Sequence, residues 1–293
     1  YVQTTVSGCT GNRTAVTVTV NAKPAAPTVS PVTICTGNTA TLQVTAPSGT
    51  YRWYDASTGN NLLSTNSSYT TPIRTANTTY YVEALAGGCS SNRSPAAVTV
   101  NAIPAVPTVV GASICAGTST GLTATAPGGT YHWYDASSAG NLLITGAIYT
   151  TPVLIATTSY YVEATVSGCT SNRTMVTVSV NPIPASPTAS GSTICSGNTT
   201  SLTATAPGGT YQWYDASTGG NLLVTNANYI TPVLTGTTTY YVQTTVAGCT
   251  SDRLPVQVTV KPTTEAPADA VSPDWYGNTA CEHAKTPGGE QTG

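Results

Sequence analysis

Cysteine stands at positions 9, 89, 169 and 249, and again at 35, 115 and 195, two ladders with a common spacing of 80 residues. The words around the rungs repeat with them. Tyr51-Arg52-Trp53-Tyr54-Asp55-Ala56-Ser57 returns as Tyr131-His132-Trp133-Tyr134-Asp135-Ala136-Ser137 and as Tyr211-Gln212-Trp213-Tyr214-Asp215-Ala216-Ser217. So strict a period means that one unit is copied along the chain. It is too long for a solenoid turn and suits a small autonomous domain. The register gives the closing part of a repeat at 1–21, whole repeats at 22–101, 102–181 and 182–261, and a diverged partial repeat or tail at 262–293. Read this way, the chain is a window on a longer array.

Only 7% of the residues are Asp, Glu, Lys or Arg, against about a quarter in an ordinary domain. Thr, Ser, Asn and Tyr must therefore cover much of the surface. Up to Lys261 the chain carries eight basic and six acidic side chains, with no basic cluster to suit nucleic acid. No apolar run approaches the roughly 20 residues that span a bilayer, so membrane insertion is not expected. Each whole repeat holds two cysteines, and a unit near 80 residues has a small core to stabilise. The expected bridges are Cys35–Cys89, Cys115–Cys169 and Cys195–Cys249, each closing a separation of 54 residues. A loop of that size contributes about 4 kcal/mol in the chain-entropy account. Such bridges imply an oxidising, extracellular setting. Cys9 and Cys281 are left unpaired within the sequence.

Strand alternation runs throughout, and no helical period of useful length occurs. Ala15-Val16-Thr17-Val18-Thr19-Val20 and its copies place Val and Thr on opposite faces, the pattern of a half-buried strand. In Tyr51 to Asp55, Tyr51 and Trp53 share one face while Arg52 and Tyr54 share the other. Trp53, Trp133 and Trp213 are assigned to the core, because positions 52, 132 and 212 drift among Arg, His and Gln as an outward face would. Asp55-Ala56-Ser57-Thr58-Gly59-Asn60 is turn chemistry. About seven short strands per unit, with Cys…Trp…Cys in order, predict an all-β tandem array of Ig-like sandwiches. Cys35 and Cys89 flank their neighbouring strands rather than lying in the middle of them, so the bridge is expected at one pole of each sandwich. The linkers, such as Asn101-Ala102-Ile103-Pro104-Ala105-Val106-Pro107, space two prolines by three and favour stiff polyproline II.

Four motifs carry a family resemblance. They are Ser192-Thr193-Ile194-Cys195, Trp213-Tyr214-Asp215-Ala216-Ser217, Thr238-Thr239-Tyr240-Tyr241-Val242 and Gly248-Cys249-Thr250-Ser251-Asp252-Arg253. With these motifs the chain resembles the Ig-like repeats of very large secreted Bacteroidetes proteins. The resemblance covers residues 1–261. It implies export by the type nine secretion route and display at the cell surface in adhesins, including those of gliding motility.

Chemistry is scarce. Glu83 and Glu163 become Gln3 and Gln243 in other copies, which an essential acid or base would not survive. The whole repeats share one histidine, His132, so no Ser/His/Asp or Cys/His set can be assembled. No catalytic residue, cofactor or metal is assigned. A ligand surface, if each copy bound a glycan, would use Arg52, Tyr54, Tyr134 and Tyr214, with repetition supplying avidity. The expected function is a non-catalytic extracellular rod or stalk of a surface adhesin or filament. The alternatives are a repeated glycan-binding module and a self-assembling filament subunit joined by strand complementation, so the partners would be the neighbouring repeats, with surface glycans or other copies in a filament beside them.

Overall fold

The computed structural model describes residues 1–46, 49–59, 61–126 and 128–263. Of the expected partial repeat or tail at 262–293, the residues from 264 onward, with Cys281, lie outside the described residues. Among the described residues every regular element is a strand; the alternation of Val with Thr forms one in each whole repeat, while the copy at residues 15–20 forms none. The chain gathers into two compact units. One holds residues 1–108, 124–147 and 161–174; the other holds residues 109–123, 148–160 and 175 onward.

The repeat from residue 22 to 101 shows how one copy is built. Thr28–Val29, Thr41–Ala46 and Ser68–Thr70 form a three-stranded sheet. The facing sheet runs in the order Val32–Cys35, Ser94–Asn101, Thr78–Ala86, Thr50–Tyr54, Leu62–Ser64, and the short Cys89–Ser90 strand pairs back on Thr78–Ala86. This is a two-sheet Ig-like sandwich. Its first strand is split, starting on one sheet and finishing on the other. The finishing piece lies parallel to Ser94–Asn101, in the register Val32↔Val98 to Cys35↔Asn101. The same strand order recurs along the array.

The inner faces meet around tryptophan. Trp53, Trp133 and Trp213 are fully buried. Trp53 packs in a cluster with Leu42, Val82 and Val98, and Trp213 in one with Leu202, Val242 and Val258. Each indole also finds a partner for its N–H, donating to the carbonyl of Asn66, Gly146 or Asn226 at 3.0, 3.0 and 3.2 Å. A buried indole without that acceptor would forfeit about 1–3 kcal/mol. Tyrosines extend the core: Tyr229 stacks on Trp213 at 5.8 Å and meets Tyr240 edge-on at 5.0 Å.

The expected cysteine pairing is not what the fold makes. Between described residues the bridges are Cys35–Cys169 and Cys115–Cys249, each spanning 134 residues, and they join successive repeats. Cys89 and Cys9 are free thiols. Cys195 is disulfide-bonded, but Cys249, its expected partner, is taken by Cys115. The physical reason is strand direction. Cys35 ends a strand parallel to Ser94–Asn101 and lies opposite Asn101, the last residue of that strand. Cys89 follows the hairpin turn at the other end, opposite Ala86. Some ten residues of extended chain separate the two poles, on the order of 30 Å. A disulfide reaches across Cα atoms only about 4.4–6.8 Å apart. A bridge within one repeat cannot close, whereas Cα–Cα is 5.6 Å in each bridge that forms.

Candidate functional site

Two constellations repeat outside the core. The first involves the residues expected to form a ligand surface. Tyr54 is buried, and the guanidinium carbon of Arg93 lies over its ring, 3.4 Å from the centroid. Tyr134 and Tyr214 are half-buried under Arg173 and Arg253 at the same 3.4 Å. The tyrosine face that would stack on a sugar is therefore already covered by an arginine of the same repeat, which corrects the expectation of an open aromatic platform. Arg52 is half-buried and approaches Glu83 at 3.9 Å.

The arginine is held from several sides. In the middle copy its Nη1 donates to the carbonyls of Ala136 and Ala139, both at 2.8 Å, and its Nε to Glu163 at 3.0 Å. Tyr134 donates its hydroxyl to the other oxygen of Glu163 at 3.0 Å. Burial, followed by that bond to the carboxylate, raises the Tyr134 pKa above the usual tyrosine value. The Ala136–Ala139 turn is closed by Asp135, whose two oxygens accept the backbone and side-chain N–H groups of Asn141 at 2.7 and 2.8 Å. Those bonds hold the Asp135 carboxyl below its ordinary value. Cysteine-plus-four periodicity marks Arg93, Arg173 and Arg253, but nothing in the sequence pairs them with a tyrosine 39 positions earlier. Ser91, Ser171 and Ser251 likewise carry no sequence signal for their role; each accepts the N–H of a residue seven before it, in the long strand.

The second constellation is the junction between repeats, and the proline linker builds part of it. Pro27, Pro107 and Pro187 are buried. Thr174 donates its hydroxyl to Pro107 O at 2.7 Å, and Ser186 to Asp252 O at 3.0 Å. Each linker starts at an asparagine whose side chain reaches the hairpin tip of the following repeat. Asn21 donates to Gly87 O at 2.8 Å, Asn101 to Ser167 O at 3.0 Å and Asn181 to Ala247 O at 3.3 Å. The accepting carbonyl belongs to the first of two residues with positive φ, Ser167 and Gly168 at 48° and 80° or Ala247 and Gly248 at 49° and 81°. This is the type I′ turn of a two-residue hairpin. It delivers the next residue, Cys169 or Cys249, to the strand-end cysteine of the preceding repeat. In the Asn101 junction Cys35 is opposite Asn101, Thr36 N donates to Asn101 O at 2.8 Å, and Cys169 Sγ lies 3.9 Å from that oxygen. The asparagine thus holds the two halves of the bridge in register. Among the described residues no group of three or more His, Cys, Asp and Glu could hold a metal.

The family model described as an Ig-like domain, CHU_C associated, matches residues 24–102, 104–182 and 184–262. Among curated proteins no sequence match is found. Among solved structures, Sidekick-1 immunoglobulin domains 1–5 align over 80% of this chain and 58% of that one, at 14% identity and a TM-score of 0.30. The titin I9–I11 tandem aligns over 81% of this chain and 100% of that one, at 12% identity and a TM-score of 0.32. Chicken CNTN1 FN1–FN3 domains align over 82% and 99%, at 14% identity and a TM-score of 0.34. These likenesses are too distant to carry an argument about function.

Proposed function

We propose, starting from the fact that the chain belongs to the family of CHU_C-associated Ig-like domains, that it is a non-catalytic, load-bearing stalk segment of an extracellular surface protein. The observation that carries this reading is the pair of disulfides between successive repeats. A bridge inside a domain protects that domain alone. A bridge from each repeat to the next gives tension a covalent route that passes over the chain between its cysteines. Display on a bacterial surface, with export by the type nine route, belongs to the same proposal, as does a role in spacing an adhesive tip from the cell.

Pulling the chain from its two ends in an optical trap tests the reading. In reductant, each whole repeat releases its own length, about 250 Å at roughly 3.5 Å per residue less the folded span. With the bridges intact, the shortest covalent route crosses at Cys35–Cys169 and Cys115–Cys249, and the total extension falls to less than half of the reduced value. Equal extension in the two states would remove the load-bearing reading.

A further inference from the structure

The junction at Asn21 repeats the geometry of the two bridged junctions. Asn21 donates to Gly87 O, the turn residues Gly87 and Gly88 have φ of 54° and 78°, and Cys89 Sγ lies 3.8 Å from Asn21 O. The corresponding sulfur of Cys169 lies 3.9 Å from Asn101 O, and that sulfur is bonded to Cys35. Cys89 is thus held where its counterparts form staples.

An independent observation points to the same partner. Val2, Val16, Val18 and Val20 are 63%, 61%, 81% and 88% exposed. Their counterparts one repeat later are Val82, Ala96, Val98 and Val100. Val82, Ala96 and Val98 are buried in the sandwich core, and Val100 packs against it. A valine row of this kind covers itself only against the rest of a sandwich, so residues 1–21 present the closing face of one.

We propose that Cys89 is the acceptor half of a further staple, closed by the strand-end cysteine of another repeat of this kind placed ahead of Tyr1 in the same polypeptide. The inference rests on the reading of the array as stapled from repeat to repeat. The incoming strand would lie parallel to residues 18–21 with its cysteine opposite Asn21, as Cys35 lies opposite Asn101. Closure is two thiol–disulfide exchanges with a small-molecule disulfide as oxidant. The Cys89 thiolate attacks it, forms a mixed disulfide and releases one small thiol. The second cysteine, as thiolate, then attacks Cys89 Sγ and releases the other. Two protein thiols are oxidised and one small disulfide is reduced to two thiols.

The test extends the full chain by placing a copy of residues 22–80 directly before Tyr1, which continues the register because Tyr1 corresponds to Tyr81. The extended chain is oxidised in a glutathione buffer, alkylated and mapped without reduction. The expected product is a peptide linking the copy of Cys35 to Cys89, with Cys9 alkylated. A link from that copy to Cys9, or an alkylated Cys89, overturns the proposal. Hydrogen exchange supplies a second readout: amides 15–20 become protected in the extended chain, and unchanged exchange there also overturns it. The Cys35–Cys169 and Cys115–Cys249 peptides serve as the internal reference. Their presence without the new link defeats this inference alone, whereas their absence defeats the stapled array as well.

Discussion

At the scale of single residues, the arginine that covers a tyrosine explains an exchange that looks puzzling in the sequence. Position 83 is Glu, position 163 is Glu and position 243 is Gln, while the cross-strand neighbours are Arg52, His132 and Gln212. The pairs change together: a base faces an acid twice, and an amide faces an amide once. Gln243 donates to Gln212 at 3.0 Å and accepts from Arg253 at 3.3 Å, so the stack on Tyr214 survives without a carboxylate. The stack itself was not legible, because Arg93 meets Tyr54 only after the sheet is assembled. Arg173→Ala removes the stack, two carbonyl bonds and the bond to Glu163. It is expected to destabilise the Thr158–Val166 strand by about 2–4 kcal/mol, read from amide exchange in the full chain. Arg173→Lys should recover less than half of that, since an ammonium cannot lie flat while donating along several directions. A second residue-scale prediction concerns Tyr229, whose pKa is pushed up to about 12, chiefly by burial and then by Tyr240. Because the folded value is raised, its contribution to stability is whole below about pH 10, the unfolded value, and is lost as the pH rises through about 12. Tyr229→Phe should abolish that alkaline component in a comparison of unfolding against pH. An unchanged profile would contradict the assignment.

At the scale of elements, the strands and the buried tryptophans could be read directly. Alternation of Val with Thr fixes which face turns inward, and the Asp-x-Ser turns fix where the chain reverses. The cysteine partners could not be read in the same way. Every whole repeat contributes both cysteines, so a period of 80 fits a separation of 54 within a repeat and one of 134 between repeats equally well. Strand direction separates the two, because the parallel pairing of Val32–Cys35 with Ser94–Asn101 sends Cys35 to the pole opposite Cys89. The hairpin that presents the second cysteine carries a local cost. Ala247 has φ of 49°, a conformation that costs an L-residue roughly 1–2 kcal/mol. Ala247→Gly relieves it and should stabilise the hairpin by up to about 1 kcal/mol after the extra freedom of the unfolded glycine is counted. Slower amide exchange in Thr238–Val246 is the expected result; faster exchange would show that the turn is not strained.

For the whole molecule, the covalent connections matter more than any single contact. A closed loop of 134 residues contributes about 5 kcal/mol in the chain-entropy account, somewhat above the 4 kcal/mol of a bridge inside one repeat. The larger difference is in what the bridges join. Bonds within repeats would leave independent beads on a string, whereas bonds between repeats make each one answer for its neighbour. The most direct measurement is a non-reducing peptide map of the oxidised, alkylated chain. The account predicts peptides joining Cys35 to Cys169 and Cys115 to Cys249, with Cys9 and Cys89 alkylated. Peptides joining Cys35 to Cys89 and Cys115 to Cys169 would contradict it.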